Sequence, residues 1–132
     1  METTQYGLKV TSSLTVNEAE KRIRAALAEE GFGVLTEIDL AATLHAKMGV
    51  QMAPYRILGA CRPQLAAVAV ESEPDIGLLL PCNVVVYAEG DRTVVAALDP
   101  RTMVDLTGSA AMGEVAEDAR GRLARALQTV AD

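Results

Sequence analysis

The most reactive side chains in this sequence are its two cysteines, and their settings differ. Cys61 closes the strand-like run RILGAC and precedes Arg62-Pro63, where a helix is expected to begin. A sulfur at that junction faces unpaired N–H groups and the positive end of a helix dipole, both of which stabilise a thiolate, and the neighbouring Arg62 adds charge of the same sign. The chemistry would be sulfur transfer or redox exchange, with Cys61 attacking and Cys82 as its resolving partner. The competing account makes Cys61 a small, buried core residue. Cys82 lies in LLLPCNVVVY, residues 78–87, where alternation groups it with Leu78, Leu80, Val84 and Val86 on the side expected to face helices. A bulge at Pro81 would reverse that assignment.

Asn83 belongs to the opposite set, with Gly77, Leu79, Val85 and Tyr87. That second face is too apolar to be left in water, so it should meet a partner subunit or line a pocket. An amide with donor and acceptor on an apolar wall is the usual make-up of a small-ligand site. Its alternative task is to satisfy backbone groups freed by the proline. Glu37 and Asp39 are two apart on a strand, so both carboxylates share one side and could form an acid/base pair. In the plainer account Asp39 caps the next helix, and Glu37 is solvated or paired with Lys47. His45, Met48 and Met52 suggest soft-metal ligands, but Gly49 ends the helix before Met52 can join that face, so no metal site is expected.

These residues need a scaffold. Thr15 and Glu18 form a capping box, followed by Val16, Ala19, Ile23, Ala26 and Leu27 at helical spacing, with Gly31 placed for a left-handed end. GFGVLTEI alternates, with Phe32, Val34, Thr36 and Ile38 on one face. Asp39 then caps a short helix striped by Leu40, Leu44 and Met48 and ended by Gly49. After the turn around Pro54, RILGAC forms the third strand, and a further helix starts with Pro63 in its first turn. The long run from Ile76 to Leu98 is expected to be two strands joined at Glu89-Gly90-Asp91-Arg92. After DPRTM and the glycine-containing loop DLTGSAAMG, a last helix runs from about Glu114 to Val130, with Val115, Ala119, Leu123, Leu127 and Val130 as its apolar stripe. No strand is followed by a glycine-rich phosphate loop, which disfavours a doubly wound fold. The expected class is α+β, a mostly antiparallel sheet with its helices on one face.

With 132 residues the chain is long enough for one core, and residues 1–132 are expected to form a single domain. Half of it is hydrophobic, yet it has no Trp and one Phe, so that core must be aliphatic. A net charge of −6 argues against nucleic acid and anionic membrane surfaces as partners. METTQYGLKV lacks a basic start and an apolar run, and no stretch approaches a membrane span, so a cytoplasmic location is expected. In that compartment two cysteines separated by twenty residues are expected as free thiols, and the spacing matches no zinc pattern.

The run from Thr36 to Gly90 resembles the bacterial and archaeal domain of unknown function family 302. The resemblance rests on EID at Glu37–Asp39, Lys47 with Gly49, PYRILGACRP at Pro54–Pro63, EPDIGLLLPCNV at Glu73–Val84, and Pro100 with Met103. It implies a curved antiparallel sheet akin to the TATA-binding-protein-like arrangement, and a homodimer. It implies no established reaction and no known cofactor. The leading expectation is therefore a homodimeric small-molecule-binding domain with its site near Asn83, Tyr87 and Glu37. The alternative is the thiol protein built on Cys61 and Cys82.

Overall fold

The structure is a computed structural model describing residues 1–132. Its centre is a six-stranded, wholly antiparallel sheet. In chain order the strands are β1 (Glu2–Thr3), β2 (Gly7–Ser12), β3 (Gly33–Asp39), β4 (Tyr55–Cys61), β5 (Cys82–Glu89) and β6 (Arg92–Leu98), arranged in space as β1-β2-β6-β5-β4-β3. The helices are α1 (Val16–Glu29), α2 (Leu40–Met48), α3 (Pro63–Ser72), α4 (Arg101–Thr107) and α5 (Gly113–Gln128). The fold is α+β, as expected.

Alternation decides which side chains meet the helices. Leu8 and Val10, Leu58 and Ala60, Cys82, Val84 and Val86, and Val95 with Ala97 all point to one face and are buried. α1 and α5 cover that face with Ile23, Leu27, Leu123 and Leu127, each at most 1 % exposed. The capping box is formed: the Thr15 side chain accepts from the Glu18 N–H, and the Glu18 carboxylate accepts from the Thr15 N–H. Phe32 apart, the core is aliphatic, and Met103 and Met112 are fully buried in it.

Arginines fasten the helices to one another. Arg125 and Arg122 of α5 both reach Glu30 at the end of α1, while Asp118 accepts from Arg122 and from Arg62 ahead of α3. The Arg125 guanidinium holds the Glu30 carboxyl below its ordinary value. Arg120 binds the buried Asp99, whose other oxygen accepts from the Arg101 N–H and so starts α4.

Four local expectations need correction. LLLPCNVVVY is not one strand, because residues Pro74–Leu78 form a 3-10 helix and β5 begins only at Cys82. Pro81, joined to Leu80 by a cis peptide bond, has no N–H for a ladder, so pairing starts directly after it. β5 lies inside the sheet, between β6 and β4. In β3 the register shifts between Val34 and Thr36, which leaves Leu35 as the extra residue of a bulge. The expected set Val34, Thr36, Ile38 is therefore split: Val34 lies opposite Ala60 on the helix side, and Thr36 and Ile38 lie opposite Gly59 and Ile57 on the other. α2 has its expected caps, Asp39 to the Ala42 N–H and a left-handed Gly49, but buries none of its side chains, and Met48 is 74 % exposed. Finally, DLTGSAAMG is only partly loop: its first residues, Asp105–Thr107, end α4, in which Met103 is buried and which left-handed Gly108 terminates, and Ala110–Met112 form a 3-10 helix.

Candidate functional site

The sheet face away from the core carries a cavity of about 460 Å³. Four adjacent strands form its floor and wall: Gly7 and Lys9 from β2, Ala96 and Leu98 from β6, Asn83, Val85 and Tyr87 from β5, and Tyr55 from β4. Thr4, Gln5 and Tyr6, in the turn between β1 and β2, close one end. That turn is held by the Thr4 hydroxyl, which accepts from the Gly7 N–H at 2.9 Å.

Tyr55 and Tyr87 are cross-strand partners, and their rings stack with centroids 5.1 Å apart and planes 11° apart. Burial, with a smaller push from the Tyr87 phenol, raises the Tyr55 phenol above its ordinary value. Lys9 reaches over β6 toward Tyr87, and the charge and hydrogen bonding of that phenol hold the ammonium above its ordinary value. The Asn83 amide is exposed and makes no side-chain hydrogen bond within the chain. It does not serve the backbone around Pro81, so its donors and acceptor are free for another molecule.

Asn83 and Tyr87 thus share one cavity, and Glu37 does not join them. The bulge at Leu35 turns Glu37 to the helix side, opposite Leu58, where it binds Arg24 of α1 at 2.8 Å. Lys47 lies exposed in the last turn of α2, outside the cavity and unpaired with Glu37.

The cysteines leave the sheet on opposite faces. Ala60 pairs with Cys82 on the core side, and alternation sends Cys61 to the other. The sulfurs are not bonded, and Cβ vectors that diverge in this way cannot be bridged without backbone movement. Arg62, the residue before the first turn of α3, turns its guanidinium to Asp118 at 3.2 Å rather than remaining free beside Cys61. Cys82 is 1 % exposed, and burial, with a smaller contribution from Cys61, pushes its thiol up to about 11 from an ordinary 9.0.

A raised thiol pKa favours the neutral folded form. Its stabilisation is complete below the unfolded value and is lost as pH rises through the folded one. Relative to Cys82→Ala, the intact chain should lose on the order of 2 kcal/mol of unfolding free energy between pH 9 and pH 11, read by urea titration at each pH. Parallel pH profiles for the two proteins would contradict this.

Two stretches distinctive in the sequence meet in space. GAC of β4 and PCN at the start of β5 are ladder neighbours, Gly59 opposite Asn83 and Ala60 opposite Cys82. A Cβ built on Gly59 would lie 2.2 Å from Thr36 Oγ1 and 2.7 Å from Pro81 Cγ. Only glycine lets the Pro81 ring and the Thr36 hydroxyl close over β4 there. The family described as Domain of unknown function DUF302 matches residues 8–130, which include both stretches.

The chain belongs to the DUF302 family.

The crystal structure of an uncharacterized conserved DUF302 protein from Bacillus stearothermophilus is similar throughout. It is 33 % identical with a TM-score of 0.87, and the match covers 96 % of this chain and 99 % of that one. No curated protein matches this chain. In this DUF302 chain the cavity residues that sequence reasoning passed over are Lys9, Tyr55 and Tyr6. Each is unremarkable alone, since Lys9 fills a polar slot of an alternating strand. The available signal was compositional: all three tyrosines of an otherwise aliphatic chain line this one cavity.

Proposed function

We propose that this protein is a homodimeric small-molecule-binding domain whose ligand sits in the second-face cavity against Asn83, Tyr87 and Tyr55. One observation carries the reading: a free amide, a stacked tyrosine pair and a lysine converge on an apolar floor with room for a metabolite-sized molecule. Cavities of this size, mostly apolar with a few convergent polar groups, are the usual form of a ligand site. The homodimer draws support from the edge at β3. That strand is seven residues long and open on its outer side; Leu35 and Ile38 on it, and Met48, Val50 and Met52 at the end of α2 and in the connection after it, are all exposed. A long apolar edge left in water invites pairing with another chain.

The test is a thermal-shift screen of the full chain against small organic metabolites, repeated with Asn83→Ala and Tyr87→Ala. The expected result is a compound class that raises the melting temperature of the parent chain and loses most of that effect in both variants. Light scattering on the same sample should give twice the 13.9 kDa chain mass. A screen without any stabilising compound, together with a dimer interface that covers Asn83, would make this face purely structural.

A further inference from the structure

We infer that the second-face cavity takes a small organic monoanion, a carboxylate on a flat apolar body, with Lys9 as its counter-charge. The inference rests on the binding reading above and adds the chemical class of the ligand.

Charge distribution carries the first step. Acidic residues outnumber basic ones 18 to 12 in the chain, yet no Asp or Glu lines the cavity. Its only charged lining residue is Lys9. Every ion pair of the protein is made by an arginine, so the Lys9 ammonium is not neutralised by a carboxylate in contact. Glu2, its ladder partner on β1, and Glu89 lie near enough to favour the charged ammonium, but neither lines the cavity. Lys9 is therefore a half-exposed cation on a cavity lining without acid, and an anion bound there meets it with no carboxylate competing in contact.

Hydrogen-bonding capacity carries the second. The ammonium offers donors only, the phenols of Tyr55 and Tyr87 each offer one, and the Asn83 amide offers two. Donors thus surround the cation, and a ligand rich in acceptors fits them.

The third step limits the charge and the shape. A dianionic phosphate is characteristically held by an arginine fork, by several cations or by a helix N-terminus. None of these lines this cavity, and a single lysine is a point charge suited to one negative charge. The stacked rings and the floor of Val85, Ala96 and Leu98 make the remainder flat and apolar, a surface for a planar ring or a short branched chain.

Isothermal titration of the full chain with benzoate, benzyl alcohol and benzylamine at neutral pH separates these elements, because the three share a ring and differ in charge. Benzoate is expected to bind at least tenfold more tightly than benzyl alcohol, and benzylamine more weakly than either. Lys9→Met should remove that tenfold advantage and leave benzyl alcohol unchanged, while Lys9→Arg, which keeps the charge, should retain most of it. Equal binding of benzoate and benzyl alcohol, or a benzoate preference that survives in Lys9→Met, overturns the monoanion assignment while leaving the cavity a binding site. Absence of binding by all three overturns the assignment and counts against the binding reading as well.

Discussion

Gly59→Val is expected to lower the folding stability by about 3 kcal/mol, the upper part of the range for forcing extra carbon into a closed site. The cause is local. A first carbon on residue 59 already falls 2.2 Å from Thr36 Oγ1 and 2.7 Å from Pro81 Cγ, and valine adds two more. The threonine hydroxyl can rotate away, but the proline ring cannot, and β4 is held between β3 and β5 by ladders on both sides. Urea unfolding followed by far-ultraviolet circular dichroism measures the loss. Thr36→Ala in the Gly59→Val background should recover part of it by removing one of the two obstructions. A loss below about 0.5 kcal/mol, the range of ordinary surface substitutions, would mean that β4 yields and that the close packing of Pro81 on Gly59 is incidental.

Arg120→Ala is expected to cost about 3 kcal/mol, again read from the urea midpoint. Asp99 is 7 % exposed, and Arg120 donates to it at 3.1 Å. Removing the cation leaves a largely buried carboxylate with only the Arg101 N–H for a partner. Breaking such a pair from one side typically costs 3–5 kcal/mol, and the partial exposure of Arg120 places this case at the lower end. Asp99→Asn combined with Arg120→Ala should be more stable than Arg120→Ala alone, because the stranded charge is gone. If the two substitutions simply add, the residues do not interact and the pair is a surface contact.

Much of the scaffold was legible where local chemistry and tertiary packing agree. α1 announces itself by a capping box and a five-residue stripe that is buried as written. The β5–β6 hairpin follows from Gly90, whose φ of 63° suits a two-residue turn. α2 was legible in its caps and misleading in its stripe, because caps are local whereas burial depends on a neighbour that this chain does not supply. The bulge at Leu35 leaves no trace in GVLTEID, where alternation continues unbroken through the register shift, so spacing alone puts Glu37 on the face opposite to the one it occupies. α4 has seven residues, too few for periodicity to show. Its start depends on Asp99 and its anchorage on Arg120, twenty-one positions away.

The cavity was half legible for a related reason. Asn83 and Tyr87 sit on the same strand, and the apolar excess of that strand's second face points to them. Lys9 joins them only because β6, the later arm of the hairpin, inserts between β2 and β5. Strand order of that kind is set by the whole sheet, and no spacing in the sequence encodes it.

The placement of the tyrosines makes the protein its own reporter. There is no Trp, the single Phe is a weak chromophore in the core, and Tyr6, Tyr55 and Tyr87 all border one cavity. Near-ultraviolet emission and dichroism from this chain therefore describe that cavity and almost nothing else. An occupant lying on the stacked pair would register as a change in tyrosine signal without any label. The same signal is a poor gauge of the aliphatic core, whose melting is invisible to it except through the loss of the sheet that holds the rings together.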